Sequence, residues 1–304
     1  MVTRFRRARR TRGMRLSFGE RLFDAGNLLL LGIFGLIALY PFLYTVSISL
    51  STAAEAHRNS LHLYPRAVSL ASYRMILSSP DILTGFINSV LRTILGTGLT
   101  LLATCIAAYP LARKELPHRG LILFLVLFTM IFSGGIVPGY LLIRNLGLIN
   151  TVWALIVPGL LSAFNIVVVK NFFQQIPESL YEAARIEQAS EWTILWKIYV
   201  PLSRPVLATI ALWTAVGHWN AWFDAMLYIT DDRKQVLQNL LQRIVIQNST
   251  QLIQMGKTAQ DVTAYTPETM KAATVVLTIL PMLILYPFVQ RYFMKGILLG
   301  GVKE

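Results

Sequence analysis

The chain has 304 residues, 55% of them hydrophobic and only 14% charged, with a mean hydropathy of +0.55. A soluble domain of this size would carry about 25% charged residues, so that class is excluded. A net charge of +13 would suit a nucleic-acid binder, but the basic residues are sorted by segment instead of forming one patch, and that class is excluded as well.

Residues 1–26 form a basic arm with Arg4, Arg6, Arg7, Arg9, Arg10, Arg12, Arg15 and Arg21. Such an arm suits anionic headgroups, each basic residue contributing about 1 kcal/mol. Asn27–Ile48 is the first apolar run, and a run of about 18 or more residues crosses about 30 Å of hydrocarbon as a helix. Ala54-Glu55-Ala56 imitates a signal-peptide cleavage site, but the run before it is too long for a signal peptide and is read as a span. The polar stretch 51–85, with Pro65 and Pro80, reads as short helices and turns. Four further runs follow in order: Phe86–Leu111, Leu121–Ile143, Val152–Val169 and Val206–Ile229. Tight connections, "RKELPHRG" and "RNLGLIN", join the second to the third and the third to the fourth. After the fifth comes the long segment 230–270, in which "VLQNLLQRIVIQ" has helical periodicity. A sixth run, Ala272–Val289, and a tail, 294–304, complete the chain.

The expected fold is therefore an all-α membrane protein with six transmembrane helices in one domain, 27–293. With the N-terminus in the cytoplasm, the greater share of Lys and Arg falls inside, including Arg113, Lys114, Arg119, Lys170, Arg185, Lys197, Arg204, Arg291 and Lys295. That is the bias that sets orientation, and it places both termini in the cytoplasm. Arg92 and Lys271 fall near outer span ends, where long side chains snorkel. Pro41, Pro110, Pro138, Pro158, Pro281, Pro287 and the Gly134-Gly135 pair weaken the helical ladders. Prolines and glycines are common in membrane helices, but together these favour bent helices around a cavity. The single cysteine, Cys105, excludes an internal disulfide.

The inner connection 173–204 is unusual for so apolar a chain. Pro177 suits a first helical turn and Glu178 its positive dipole end. Ile176, Leu180 and Ala183 then repeat at helical spacing, with Glu178, Glu182 and Arg185 on the opposite face. Ser190 caps a second helix, "EWTILWKIY", which Pro201 is expected to stop. Such a pair is either a knob for a cytosolic partner or an interfacial hairpin anchored by Trp192 and Trp196.

The fifth run holds Trp213, His218, Trp219, Asn220, Trp222, Phe223 and Asp224. Aromatic faces and polar groups suit a sugar path, with Asn165 of the fourth run as a further candidate; the alternative is an aromatic belt. "MGKT" (255–258) lacks the leading Gly of a phosphate loop, because Gln251 stands there. His57 and His62 have no companion ligands for a metal, and nothing resembles a nucleophile with its base. No catalytic site and no cofactor site are expected. An ion-coupled carrier would show intramembrane acids and paired repeats, and only Asp224 qualifies. A membrane scaffold recruiting a cytosolic enzyme explains the knob but not the polar groups of the fifth run.

The stretch "EAARIEQASEWTILWKIYVPLSRP" resembles the EAA loop of the permease subunits of bacterial ATP-binding-cassette importers. Glu182-Ala183-Ala184 match its opening, and Ile198 and Pro201 its close. Gln188 stands where the family has Gly, and Val200 where it has Leu. With Gln188, the bend either avoids positive φ or carries about 1–2 kcal/mol of strain. "LYPFLYTVSISLS", "GGIVPGYLLIRNLGLINT", "VGHWNAWFDAMLYI" and "QRYFMKGILLGGVKE" are similar to maltose-type carbohydrate permeases, in particular a subgroup for complex or oligomeric saccharides. The resemblance implies a multi-pass protein of the bacterial cytoplasmic (inner) membrane. It implies as partners a second homologous permease, two cytosolic ATPase subunits that bind ATP and Mg, an extracytoplasmic solute-binding protein contacting the 230–270 segment, and a carbohydrate substrate. Glu182, Ala183, Ala184, Arg185 and Gln188 would form the ATPase-coupling element, with Glu182 as its main polar contact.

Overall fold

The structure, a computed structural model, describes residues 18–58, 61–246 and 266–300. Most of the basic arm, the "MGKT" stretch and Lys303 lie outside the described residues. Among the described residues the chain is almost wholly helical.

The first apolar run lies in α1 (Phe18–Ser49), which begins nine residues before the expected span because "FGERLFDAG" continues the helix. None of its apolar window is buried within the chain, so lipid or another subunit must cover it. The outer stretch folds as expected, with a helical turn at Ala53–Ala56, an antiparallel bridge from Ser51 to Val68, and α2 (Ala71–Ser78). The second run forms α3 (Pro80–Ala112), started by Pro80 in its first turn. It is continuous and packs against several of the helices that follow.

The third run is not one helix. It divides into α4 (Arg119–Ile131) and α5 (Ile136–Asn145), which meet at 113°. Gly135 takes φ +86°, a conformation open to glycine but strained for other residues, and so turns the chain. The fourth run is also broken, into α6 (Trp153–Gly159, ending in a 3₁₀ turn at Pro158) and α7 (Ala163–Phe173), at 53°. Ser162 caps α7 by accepting from the Asn165 N–H.

The inner connection forms α8 (Glu178–Ile186) and α9 (Glu191–Leu202). The fifth run gives α10 (Arg204–Asn220), steeply bent from α9 at 83°, and then, after a break at Ala221 and Trp222, α11 (Phe223–Tyr228). α12 (Leu237–Ile246) realises the expected outer helix. The sixth run lies in α13 (Pro267–Gly300), which continues past Pro281 and past the expected start of the tail at 294.

α3 is the central shaft, flanked by α10, α7 and α12, while α13 packs on α1, α10 and α2. The inner end holds the main core: Cys105, Ala108, Tyr109 and Leu111 of α3 meet Ile166, Val169 and Phe173 of α7, Ile194, Leu195 and Tyr199 of α9, and Ile210 of α10. The Tyr199 ring sits edge-on to both Tyr109 and Phe173, with centroids 5.0 and 5.4 Å away.

Candidate functional site

Two polar constructions stand out in this apolar bundle, one at each end of α3. The inner one is the foot made by α8 and α9. Pro177 is the N-cap of α8 and not, as expected, a residue of its first turn. The helix closes with a Schellman motif, in which the Gln188 N–H donates to the Arg185 carbonyl and the Ala189 N–H to the Ala184 carbonyl, both at 3.0 Å. Gln188 takes φ +57° there. Of the two ways open to a non-glycine at the bend, the chain therefore takes the strained one.

Ser190 caps α9 by accepting from the Thr193 N–H at 3.3 Å. Pro201 does not stop this helix. A π turn at Leu195–Tyr199 lets the Val200 N–H reach the Leu195 carbonyl, which makes room for the proline ring and its missing N–H, and the helix ends at Leu202. The root of the foot is thus sunk in the protein core through Ile194, Leu195 and Tyr199, while Trp192 and Trp196 stay exposed.

The face of α8 that packs inward is Ile176, Tyr181 and Ala184, not the expected Ile176, Leu180 and Ala183. Tyr181 decides this. Its ring lies beneath the Arg113 guanidinium, 3.3 Å from it, and its hydroxyl donates to Glu191 at 3.0 Å. Burial first, and then that hydrogen bond, push the Tyr181 phenol above its ordinary value, so it stays a donor. Glu182, Ala183, Arg185 and Gln188 are left exposed, and Ile186 is 81% exposed. Ala184 is half-buried against the core.

The outer construction centres on Arg92. It does not snorkel: its side chain is 3% exposed and pairs with Asp224 of α11. Nη1 donates to the Asp224 Oδ1 at 3.2 Å and to the Ala221 carbonyl at 3.1 Å, and Nη2 to the Leu155 carbonyl at 3.4 Å and to the Asp224 Oδ2. Asp224 also accepts from the Ala225 N–H at 2.9 Å. The Ala221 carbonyl is released where α10 breaks, and the Leu155 carbonyl belongs to α6, the segment before the break in the fourth run. One arginine therefore bonds backbone carbonyls of both broken runs and satisfies the one freed at Ala221, as apolar surroundings demand. Two opposite charges inside otherwise apolar runs were the signal for this pair.

One turn inward, the His218 ring packs on Gly96, where a Cβ would stand 2.4 Å from Nε2. Trp219 is 3% exposed, with Nε1 donating to the Thr278 carbonyl at 3.0 Å and its ring edge-on to Phe86. Asn165 is buried behind its cap. Asn220 is exposed and accepts weakly from Gln238 at 3.4 Å. Trp213 is 46% exposed beside Phe164. The fifth-run candidates thus point different ways: Trp213 and Asn220 outward, His218 and Trp219 into the bundle. Asn150, at φ +63°, ties down the start of the 230–270 segment. Its Oδ1 accepts from the Thr230 and Asp231 N–H groups at 2.6 and 3.1 Å, and its carbonyl accepts from Lys234 at 3.0 Å.

Comparison with known proteins agrees with this architecture. Residues 116–298 match the family model described as "Binding-protein-dependent transport system inner membrane component". "Protein LplC" of Bacillus subtilis (strain 168) is 43% identical over 284 residues, 93% of this chain and 95% of that protein. The "Polygalacturonan/rhamnogalacturonan transport system permease protein YtcP" of the same organism is 41% identical, covering 93% and 99%. Among solved structures, a chain of a bacterial ABC transporter "involved in the import of the acidic polysaccharide alginate" superposes with a TM-score of 0.85 at 33% identity, covering 92% of this chain and all of that one. With a foot rooted in a helical membrane bundle and relatives matched along nearly its full length, the chain belongs to the family of binding-protein-dependent transport system inner membrane components.

Proposed function

We propose that the chain is one of two permease subunits of an ATP-driven importer of an oligosaccharide, with six spans counting each broken run as one and both termini in the cytoplasm. The observation that carries the coupling role is the foot: a helix whose Glu182, Ala183 and Ile186 face solvent while its companion α9 is anchored among α3, α7 and α10. A partner gripping that face would move the bundle. ATP and Mg belong to two separate ATPase subunits, Glu182 forms the main polar contact to them, and Ala183 permits close approach while Ala184 seats the helix on the core. An extracytoplasmic binding protein delivers the saccharide at the outer face, where Asn150 orders the long segment. Relatives whose names specify alginate and polygalacturonan support a saccharide cargo. Trp213 and Asn220 offer an aromatic face and an amide to a sugar, with Asn165, His218 and Trp219 shaping the wall behind them.

An ion-coupled carrier fits less well, because Asp224 is already held by Arg92. In vesicles reconstituted with all partner subunits, Glu182→Ala lowers ATP-driven uptake by about tenfold, the loss of one charge-assisted contact, and weakens retention of the ATPase. Unchanged uptake and unchanged retention together would remove the docking role. Uptake that survives ATP depletion but collapses with an ionophore would support the carrier.

A further inference from the structure

Glu191 lies outside the residues matched to the EAA pattern, yet its carboxylate joins three segments. Oε2 accepts from the Tyr109 hydroxyl of α3 at 2.5 Å, and Oε1 accepts from the Tyr181 hydroxyl of α8 at 3.0 Å. Arg185 of α8 adds a longer contact to Oε1 at 3.5 Å. The Arg113 guanidinium just beyond α3 covers the Tyr181 ring and pairs with Glu115 at 3.2 Å. Carboxylate–hydroxyl bonds are short and strong compared with neutral ones, and both tyrosines can only donate here, because the carboxylate can only accept. Tyr109 is buried in the inner core.

α3 is continuous, whereas the runs that form α6–α7 and α10–α11 beside it are broken. Tyr109 stands near its inner end and Arg92 toward its outer end, about 26 Å apart at 1.5 Å per residue. The α8–Glu191–Tyr109 contact therefore feeds one end of a stiff rod. Toward the other end Arg92 holds the Ala221 carbonyl at the break after α10 and the Leu155 carbonyl of α6.

We propose that Glu191 is a positioning residue that locks the foot to α3, so that α8, α9 and α3 move as one lever and carry displacement of the foot to the Arg92 node. The inference rests on the coupling role proposed above. It assigns the transmission step to the Glu191–Tyr109 and Glu191–Tyr181 bonds, not to the covalent chain between α9 and α10, which turns through 83°.

The test uses the complete importer with spin labels at Glu187, exposed on the foot, and Ile94, exposed on α3. Cys105 is buried and is replaced by alanine in every sample. Distances between the labels are read nucleotide-free and with ADP–vanadate trapped. In the otherwise unchanged chain the distribution keeps its position and width in both states. In E191A the trapped state broadens about twofold, as a hinge opens between foot and rod. Y109F, which removes one hydroxyl from a ring that otherwise packs as before, broadens it in the same direction. The double variant is no broader than E191A alone, since both changes break one linkage. E191Q, which can accept from one tyrosine and donate to the other, restores the narrow distribution. An E191A distribution as narrow as the parent, a parent whose distance itself shifts between states, or additive effects of the two changes would each overturn the proposal. Co-purification of the ATPase subunits with the parent separates the two readings. If they are retained and E191A stays narrow, only the lever falls; if they are not retained, the coupling role and the lever fall together.

Discussion

Replacing Arg92 by methionine removes the centre of the outer node while keeping most of the volume of its stem. Three groups lose their donor: the Asp224 carboxylate, the Ala221 carbonyl at 3.1 Å and the Leu155 carbonyl at 3.4 Å. Stranding one partner of a buried ion pair costs about 3–5 kcal/mol. The Ala221 carbonyl adds about 1 kcal/mol, and the longer Leu155 contact adds less. Asp224 keeps the Ala225 N–H, and its side chain is 29% exposed, which returns part of the cost through solvent. Partners found in the denatured state in detergent return more. The expected net loss is about 3 kcal/mol, or somewhat over a hundredfold in the unfolding equilibrium. Titration of the purified complex with sodium dodecyl sulfate, followed by tryptophan fluorescence, measures it. D224N should cost a similar amount, and R92M/D224N should recover about 2 kcal/mol relative to the sum of the single changes. Single variants within about 0.5 kcal/mol of the parent, or losses that simply add, would show that the pair does not hold the two broken runs together.

Other expectations follow from local geometry. Gln188→Gly relieves the positive φ at the bend and should stabilise the end of α8 by about 1 kcal/mol, read as slower hydrogen exchange across residues 178–190; exchange that is unchanged or faster would mean that Gln188 is not strained. Gly96→Ala places a Cβ 2.4 Å from the His218 ring and should cost about 1–3 kcal/mol by overpacking, with thermal stability of the complex as the measure. If G96A is silent, the α3–α10 contact is looser than its geometry indicates.

Much of the chain's organisation was legible in the residues themselves. The apolar runs mark the helical segments because length and hydropathy are properties of contiguous sequence, and Ser190 marks the start of α9 because a cap acts within three residues. The Gly134-Gly135 pair signalled weakness in the third run, but not that it would open to 113°, since the bend depends on what α4 and α5 pack against. The same holds for α8, where helical spacing offered Leu180 as an inward residue. Arg113 and Glu191, contributed by other segments, fixed Tyr181 there instead.

The groups that tie the bundle together were settled only by the fold. Arg92 and Asp224 are 132 residues apart, Tyr109 and Glu191 82, and the Trp219 indole finds its acceptor 59 residues away at Thr278. A sequence states which side chains carry charge or a donor, and that a membrane interior will not leave them unpaired. Which partner each one meets depends on how helices cross, a relation between segments distant in the chain that short-range periodicity does not encode.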